Sequence, residues 1–199
     1  MKNESVKLFG LRRTQYAIND EIDYTKEQLT KLVSDILAEV PSAFYSKTQG
    51  VVLLLDQEHE ALWDIVLNTL KPLVPAEQFS QTEAKIASFK AGRGTVLFFT
   101  DEAKTKGLQD AYPLYAANFP PWALQENGML QYAVWVAFAE NGIGASLQHY
   151  NPLIDDEVKK RWGVSETWTL LAQMPFGKIV QAAGERGDAD IEKRLKVFG

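Results

Sequence analysis

Pro121-Trp-Ala-Leu-Gln-Glu-Asn-Gly-Met-Leu-Gln-Tyr-Ala-Val-Trp-Val-Ala-Phe-Ala-Glu-Asn141, followed at once by Gly142-Ile-Gly-Ala-Ser-Leu-Gln-His149, sets the architecture of this chain. Leu130, Val134, Ala137 and Phe138 recur at helical spacing, and nearly everything around them is apolar as well. A helix of that kind is covered on most sides and belongs at the centre of a domain. Gly142 and Gly144 stop it, and Ala145 to His149 reads as a short extended segment. Beyond it, Asp155 to Trp162 predicts a short helix with Asp155 as its cap. Trp168-Thr-Leu-Leu-Ala-Gln-Met174 predicts a strand, and the alternating tail from Ile191 to Phe198 predicts an edge strand.

Before it, Val51-Val-Leu-Leu-Leu55 and Thr95-Val-Leu-Phe-Phe99 are continuous apolar runs, the pattern of strands buried on both faces. Helices are expected between them, at about Glu58 to Leu70 and Gln81 to Lys90, separated by Pro72 and Pro75. The first strong element is a helix from about Tyr24 to Val40. Thr25 and Gln28 fit a capping box, and Leu29, Leu32, Val33, Ile36, Leu37 and Val40 share a face before Pro41 ends it. The elements show no regular βαβ rhythm, and no GxGxxG turn follows a strand, so a dinucleotide-binding Rossmann domain is not expected. The fold class is α+β, with helices on both faces of one mixed sheet. Without linker, repeat or low-complexity segment, residues 1–199 read as one domain.

Composition narrows the chemistry. With 46% hydrophobic and 24% charged residues the chain suits a soluble globular protein. No apolar run is long enough to span a bilayer, and Met1 to Gly10 does not read as a signal peptide, so the cytoplasm is the expected location. A net charge of −5 argues against a nucleic-acid partner. The absence of cysteine removes disulfides, thiolate nucleophiles and iron–sulfur or zinc–thiolate sites. The only histidines are His59 and His149, too few for a three-His metal site, and no metal is expected. His59, among Asp56-Gln-Glu-His-Glu60, reads as a solvated helix residue. A serine hydrolase built on His149 would lack the GxSxG elbow. Redox chemistry here would need a bound organic cofactor.

Four segments stand out as candidate binding loops. Arg12-Arg13-Thr14-Gln15-Tyr16 offers guanidinium forks matched to phosphate oxygens, or is surface charge. Pro41-Ser-Ala-Phe-Tyr-Ser-Lys47 offers hydroxyls and backbone groups, or is a helix-stop loop. Asn141 to Pro152 combines two glycines, which let a ligand approach the peptide groups, with the polar run Gln148-His-Tyr-Asn151; a helix C-cap explains the first feature but not the second. Met174-Pro-Phe-Gly177 and Glu185-Arg186 read as a turn and a cation.

Taken in order, these pieces resemble the FMN-dependent nitroreductase family. The likeness is closest to its short branch of fungal and bacterial members associated with fatty-acid repression and copper or oxidative stress. It runs through Arg12-Arg13-Thr14, Pro41-Ser-Ala-Phe44, Gly94 to Phe99, Gly142 to Asp155, Met174-Pro-Phe-Gly177 and Arg194-Leu-Lys-Val-Phe198, essentially the whole chain. The resemblance implies a nitroreductase-like, mainly antiparallel sheet flanked by helices, an intertwined homodimer, and FMN at the dimer interface. It implies Arg12 and Thr14 near the ribityl phosphate, with Arg13 adjacent and Arg186 at a position where the family carries a basic residue for the phosphate. Ser42, Ala43, Phe44 and Ser46 would come from the partner subunit, and Ser146, Leu147 and Gln148 would run along the flavin ring, offering N–H to N5. Lys85 or Lys90 would be the cation near the N1/O2 edge. Tyr16 stands where relatives often carry a basic residue, and Tyr45 and Lys47 where they often carry Asn and Gln. The implied activity is ping-pong reduction of nitroaromatic or quinone acceptors by NAD(P)H, with the flavin, not a side chain, carrying the chemistry and with Tyr112 to Trp122 as a candidate lining of the open ring face. A flavin-binding sensor without turnover is the alternative.

Overall fold

The computed structural model describes residues 3–199; Met1 and Lys2, part of the N-terminal stretch read above, lie outside the described residues. In chain order the elements are α1 (Glu4–Leu11), β1 (Ile18–Asn19), α2 (Lys26–Glu39), β2 (Gln49–Leu55), α3 (Asp56–Leu70), α4 (Ala76–Lys90), β3 (Gly94–Asp101), α5 (Glu102–Ala111), α6 (Phe119–Glu140), β4 (Ile143–Ala145), α7 (Asp155–Trp162), β5 (Trp168–Ile179) and α8 (Ile191–Arg194). Single 3-10 turns lie at Ala43–Tyr45 and Pro113–Tyr115.

The strand order is β1-β5-β3-β2, with β4 also paired to β5. Every ladder is antiparallel; the parallel element that makes the sheet mixed is a single bridge between Thr14 and Ala145. β3 sits between β5 and β2 and is buried from Gly94 to Thr100, which is why its sequence is a continuous apolar run. Helices cover both faces. On one, α2 and α6 bring Leu29, Val33, Leu130, Val134 and Phe138 against Val96, Phe98, Met174 and Phe176, with Phe138 and Phe176 ring centroids 4.7 Å apart. On the other, α3, α4 and α7 bring Leu62, Trp63, Val66, Ile86, Phe89 and Val158 against Leu97, Phe99 and Leu170. No helix among the described residues is long and apolar enough to cross a membrane.

Thr25 forms the expected capping box: its side chain accepts from Gln28 N–H while the Gln28 side chain accepts from Thr25 N–H. Elsewhere the sequence reading needs correction. α1 and α5 were not expected; α1 has no buried residue and α5 only Thr105, so neither carries an apolar stripe to read. Asp155 is the first residue of α7 instead of its cap, which is Ile154. The tail is no strand within its own chain: a short helix, α8, is followed by extended residues with Leu195, Val197 and Phe198 61%, 82% and 90% exposed. Nor is α6 covered on most sides, since Leu124, Met129 and Tyr132 remain exposed along it.

His59 is the clearest reversal. It is buried among Leu62, Trp63 and Val66 on the inner face of α3. Its Nδ1 lies 2.8 Å from the Thr95 hydroxyl and its Nε2 3.1 Å from the Lys90 carbonyl oxygen. Trp63 Nε1–H donates to the same Thr95 oxygen. Burial holds the imidazole neutral and lowers its pKa to about 4. The spacing His59, Leu62, Trp63, Val66 is itself a helical stripe, a signal masked by the charged residues beside it.

Candidate functional site

α6 organises two clusters of the candidate residues. The first gathers at its C-terminal half. Arg12 follows α1, and its guanidinium lies 4.5 Å from the Trp135 ring centroid. Trp135 Nε1–H in turn donates to the Ala145 carbonyl. Gln15 N–H donates to that carbonyl as well, so the Thr14 bridge fixes this segment beside the loop 146–148. The loop is pinned by Ser146 N–H to the Pro175 carbonyl and by a double backbone bond between Gln148 and Gln173. Between them Leu147 N–H has no partner among the described residues. Ser146 Oγ accepts from the Gln148 amide and keeps its own O–H available. Arg186 Nη2 donates to the carbonyls of Gly10 (2.9 Å) and Arg12 (2.6 Å), and Arg13 donates to the Gly184 carbonyl. These two arginines tie the segment 184–186 to the end of α1, whereas Arg12 makes no ion pair among the described residues. Tyr16 is exposed beside them.

The second cluster is the Ser42–Ser46 turn. Ala43 N–H donates to Glu126 Oε2 at 2.8 Å, the Ser46 hydroxyl donates to Glu126 Oε1 at 3.0 Å, and Ser42 Oγ accepts from Lys47 N–H. Phe44 stands at the centre of an aromatic cluster, 5.0 Å from Tyr112, 5.4 Å from Phe119 and 6.1 Å from Trp122 between ring centroids. A groove of about 490 Å³ opens along this turn, lined by Ser42, Ala43, Phe44, Trp122, Gln125 and Met129. Glu126 and Trp135, which hold the two clusters, are about 14 Å apart along the helix axis.

The structure thus brings Arg12, Arg13, Thr14, Tyr16, Ser146, Leu147, Gln148 and Arg186 together, and Ser42, Ala43, Phe44 and Ser46 together, but separates the two groups. It does not bring Lys85 to either. Lys85 is on α4, its ammonium 5.9 Å from the Phe89 ring, in the helical layer on the opposite face of the sheet from α6. Lys90, the other cation considered, is paired with Asp64 at 2.7 Å. The residue that sequence reasoning missed is Glu126. A carboxylate in the middle of an apolar helix, one turn from Leu130, was the available signal.

Comparison with known proteins places this geometry. The model of the nitroreductase family matches residues 11–178. The Saccharomyces cerevisiae protein HBN1 is 34% identical over 183 residues, 91% of each chain. The nitroreductase FRM2 of the same organism is 32% identical over 168 residues, 83% of each. Among solved structures, nitroreductase CinD from Lactococcus lactis, in complex with chloramphenicol, superposes with a TM-score of 0.90 at 39% identity, covering 98% of this chain and 100% of that one. The same protein is known in complex with 4-nitrophenol. The family match starts at the residue before Arg12 and covers all of both clusters except Arg186: this chain belongs to the nitroreductase family.

Proposed function

We propose that two copies of the chain together bind FMN and use NAD(P)H to reduce nitroaromatic or quinone-type acceptors by a ping-pong mechanism, donor and acceptor occupying one face in turn. The observation that carries this reading is the division of the candidate residues between two ends of α6, with an uncovered apolar face between them. Met129 and Tyr132 lie exposed between Glu126 and Trp135 and Leu124 lies exposed just before them, with Phe9 of α1 5.7 Å from Tyr132 between ring centroids. Large apolar side chains left exposed together along one helix mark an interface. A two-fold pairing buries the same patch of both copies and sets the Arg12 cluster of one against the Ser42 turn of the other. The edge of β2, which among the described residues pairs only with β3, and the tail beyond α8, which joins no strand among them, supply a second place for the copies to join.

The residues present suit an FMN. Arg12 has its planar fork of donors uncommitted to any carboxylate, the arrangement that binds a terminal phosphate bidentately. Thr14 adds a hydroxyl beside it. Arg13 and Arg186, committed to backbone carbonyls, fix the loop and leave a positive field around it. Leu147 N–H, without a partner among the described residues and set on a pinned loop, would be a donor available to a ring nitrogen. When bound, FMN would supply the hydride chemistry that no side chain here can. The aromatic groove beside Phe44 and Trp122 presents flat faces to flat acceptors, the class to which the 4-nitrophenol held by the L. lactis relative belongs.

The purified protein is expected to be yellow, to release FMN on heating, and to oxidise NADH or NADPH in the presence of a quinone. Recovery of FAD, or no flavin after reconstitution, would overturn the reading. Tight FMN binding without turnover would make the protein a flavin sensor instead.

A further inference from the structure

The turn after α2 has an unfavourable backbone. Phe44, Tyr45 and Lys47 all occupy the left-handed region, at φ of 56°, 53° and 52°. Residues without glycine's freedom stay there only where the surroundings over-determine them. Ser42 Oγ accepts from Lys47 N–H and Lys104 Nζ donates to the Lys47 carbonyl, and Glu126 joins the turn to α6. Glu126 projects from α6, is 3% exposed, and accepts hydrogen bonds from Ala43 N–H, the Ser46 hydroxyl and the Thr48 hydroxyl. All three donors come from one short stretch of the turn, all are neutral, and no cation pairs with the carboxylate among the described residues. A buried charge of this kind is an expensive way to join a helix to a loop, since a well-packed apolar contact serves stability at least as well. It does fix the loop's geometry, which apolar contacts specify less sharply. The same turn sets Phe44 into its contacts with Tyr112, Tyr115, Phe119 and Trp122 and so shapes the groove.

We infer that Glu126 is a positioning residue for the redox site. It clamps the Ser42–Thr48 turn in its strained conformation, so that Ser42 faces the cofactor and Phe44 forms one wall of the acceptor groove. This rests on the flavin reading above, but the clamp itself can be measured without flavin. Glu126→Gln keeps the size of the side chain and replaces one acceptor oxygen with a donor that faces other donors. Glu126→Asp keeps the charge and withdraws it by one methylene.

In protein reconstituted with FMN, Glu126→Gln is expected to raise KM for 1,4-benzoquinone about tenfold while kcat changes less than twofold, and Glu126→Asp to restore part of the loss. In the flavin-free proteins, near-UV circular dichroism should show the Phe44–Trp122 cluster loosened in Glu126→Gln. Thr95→Val removes the buried hydrogen bonds to His59 and Trp63 on the opposite face of the sheet. It should lower Tm without moving KM, separating positioning from stability. If Glu126→Gln fails to fold, Ser46→Ala removes one donor from the carboxylate and should give the same signature at smaller amplitude. Parent-like KM and near-UV spectra in a folded Glu126→Gln, or in Ser46→Ala where Glu126→Gln does not fold, would overturn the inference. Parent protein that takes up no FMN would sink the flavin reading instead, and the near-UV comparison would still decide the clamp.

Discussion

Arg12 is oriented by the face of Trp135 and by the backbone that Arg186 grips, and it pairs with no carboxylate among the described residues. A charge-assisted contact from a guanidinium to a phosphate is worth about 1.5–3 kcal/mol, or roughly ten- to a hundredfold in affinity. Arg12→Ala should weaken FMN binding by that factor, measured by quenching of flavin fluorescence on titrating the apo-protein, with the fold kept. Arg12→Lys should recover only part, because an ammonium retains the charge and loses the fork. Affinity unchanged in Arg12→Ala would remove the residue from the site. His59 makes the opposite kind of statement, since its value lies in being uncharged. With Nε2–H donating to the Lys90 carbonyl, Nδ1 is left to accept from Thr95, and protonation destroys that arrangement. The folded pKa of about 4 lies below the ordinary 6.5. Between these values the unfolded chain takes up a proton that the folded one refuses. His59 therefore contributes its full stability above about pH 6.5, and that contribution falls away as pH drops toward 4, by about 3 kcal/mol over the window. Thermal melts from pH 7 to pH 4 should show this acid limb, and His59→Gln should flatten it; a variant melting with the parent's pH slope would refute the assignment.

At the level of the element, β5 is the strand on which the candidate site hangs, since it pairs with β1, β3 and β4 and its neighbours carry Thr14 and Ser146. Gly177 makes this crowding possible: a Cβ there would stand 2.1 Å from the Asn19 carbonyl oxygen. That atom is backbone and cannot swing away, so Gly177→Ala must push β1 off β5. A cost of about 1–3 kcal/mol is expected from such overpacking, read as a lower Tm, together with weaker FMN binding because the Arg12–Thr14 segment follows β1 outward. Gly177→Ala with parent-like Tm would contradict the register of β1. Elements of this central kind were legible beforehand because burial on one face or two writes a period or a run into the sequence. The apolar run of β3 and the stripe on α2 are cases of it, while the capping box at Thr25 is a local hydrogen-bond signal legible on its own. α1 and α5 bury almost nothing and left no such trace. The tail's alternation was read as an edge strand, but among the described residues it forms a short helix followed by residues that join no strand. The loop segments of the site could be picked out by residue type; their separation into two clusters could not, because it depends on which end of α6 each loop reaches.

For the whole molecule, the surfaces left uncovered by one chain are mutually consistent: the exposed face of α6, the free edge of β2 and the apolar tail. Residues 191–199 are exposed throughout, so within a single chain they stabilise nothing by burial. This makes their removal a sharp test. If the chain acts alone, deleting 191–199 should leave mass, Tm and flavin affinity as they were. If the tail instead covers a second copy, Ile191, Leu195, Val197 and Phe198 lose a buried environment on deletion, at about 1.5–3 kcal/mol for each side chain that was fully covered. Dimerisation should then weaken by several orders of magnitude. FMN should be lost with it, because the Ser42 turn of one copy no longer meets the Arg12 cluster of the other. Light scattering at micromolar concentration should report a dimer for the full chain and a monomer for the truncated one, with the truncated protein colourless after gel filtration. A truncated chain that remains dimeric and yellow would show that the α6 face alone joins the copies and that the tail lies outside the interface. A full chain that is monomeric with FMN bound would show that the two clusters do not need a second copy.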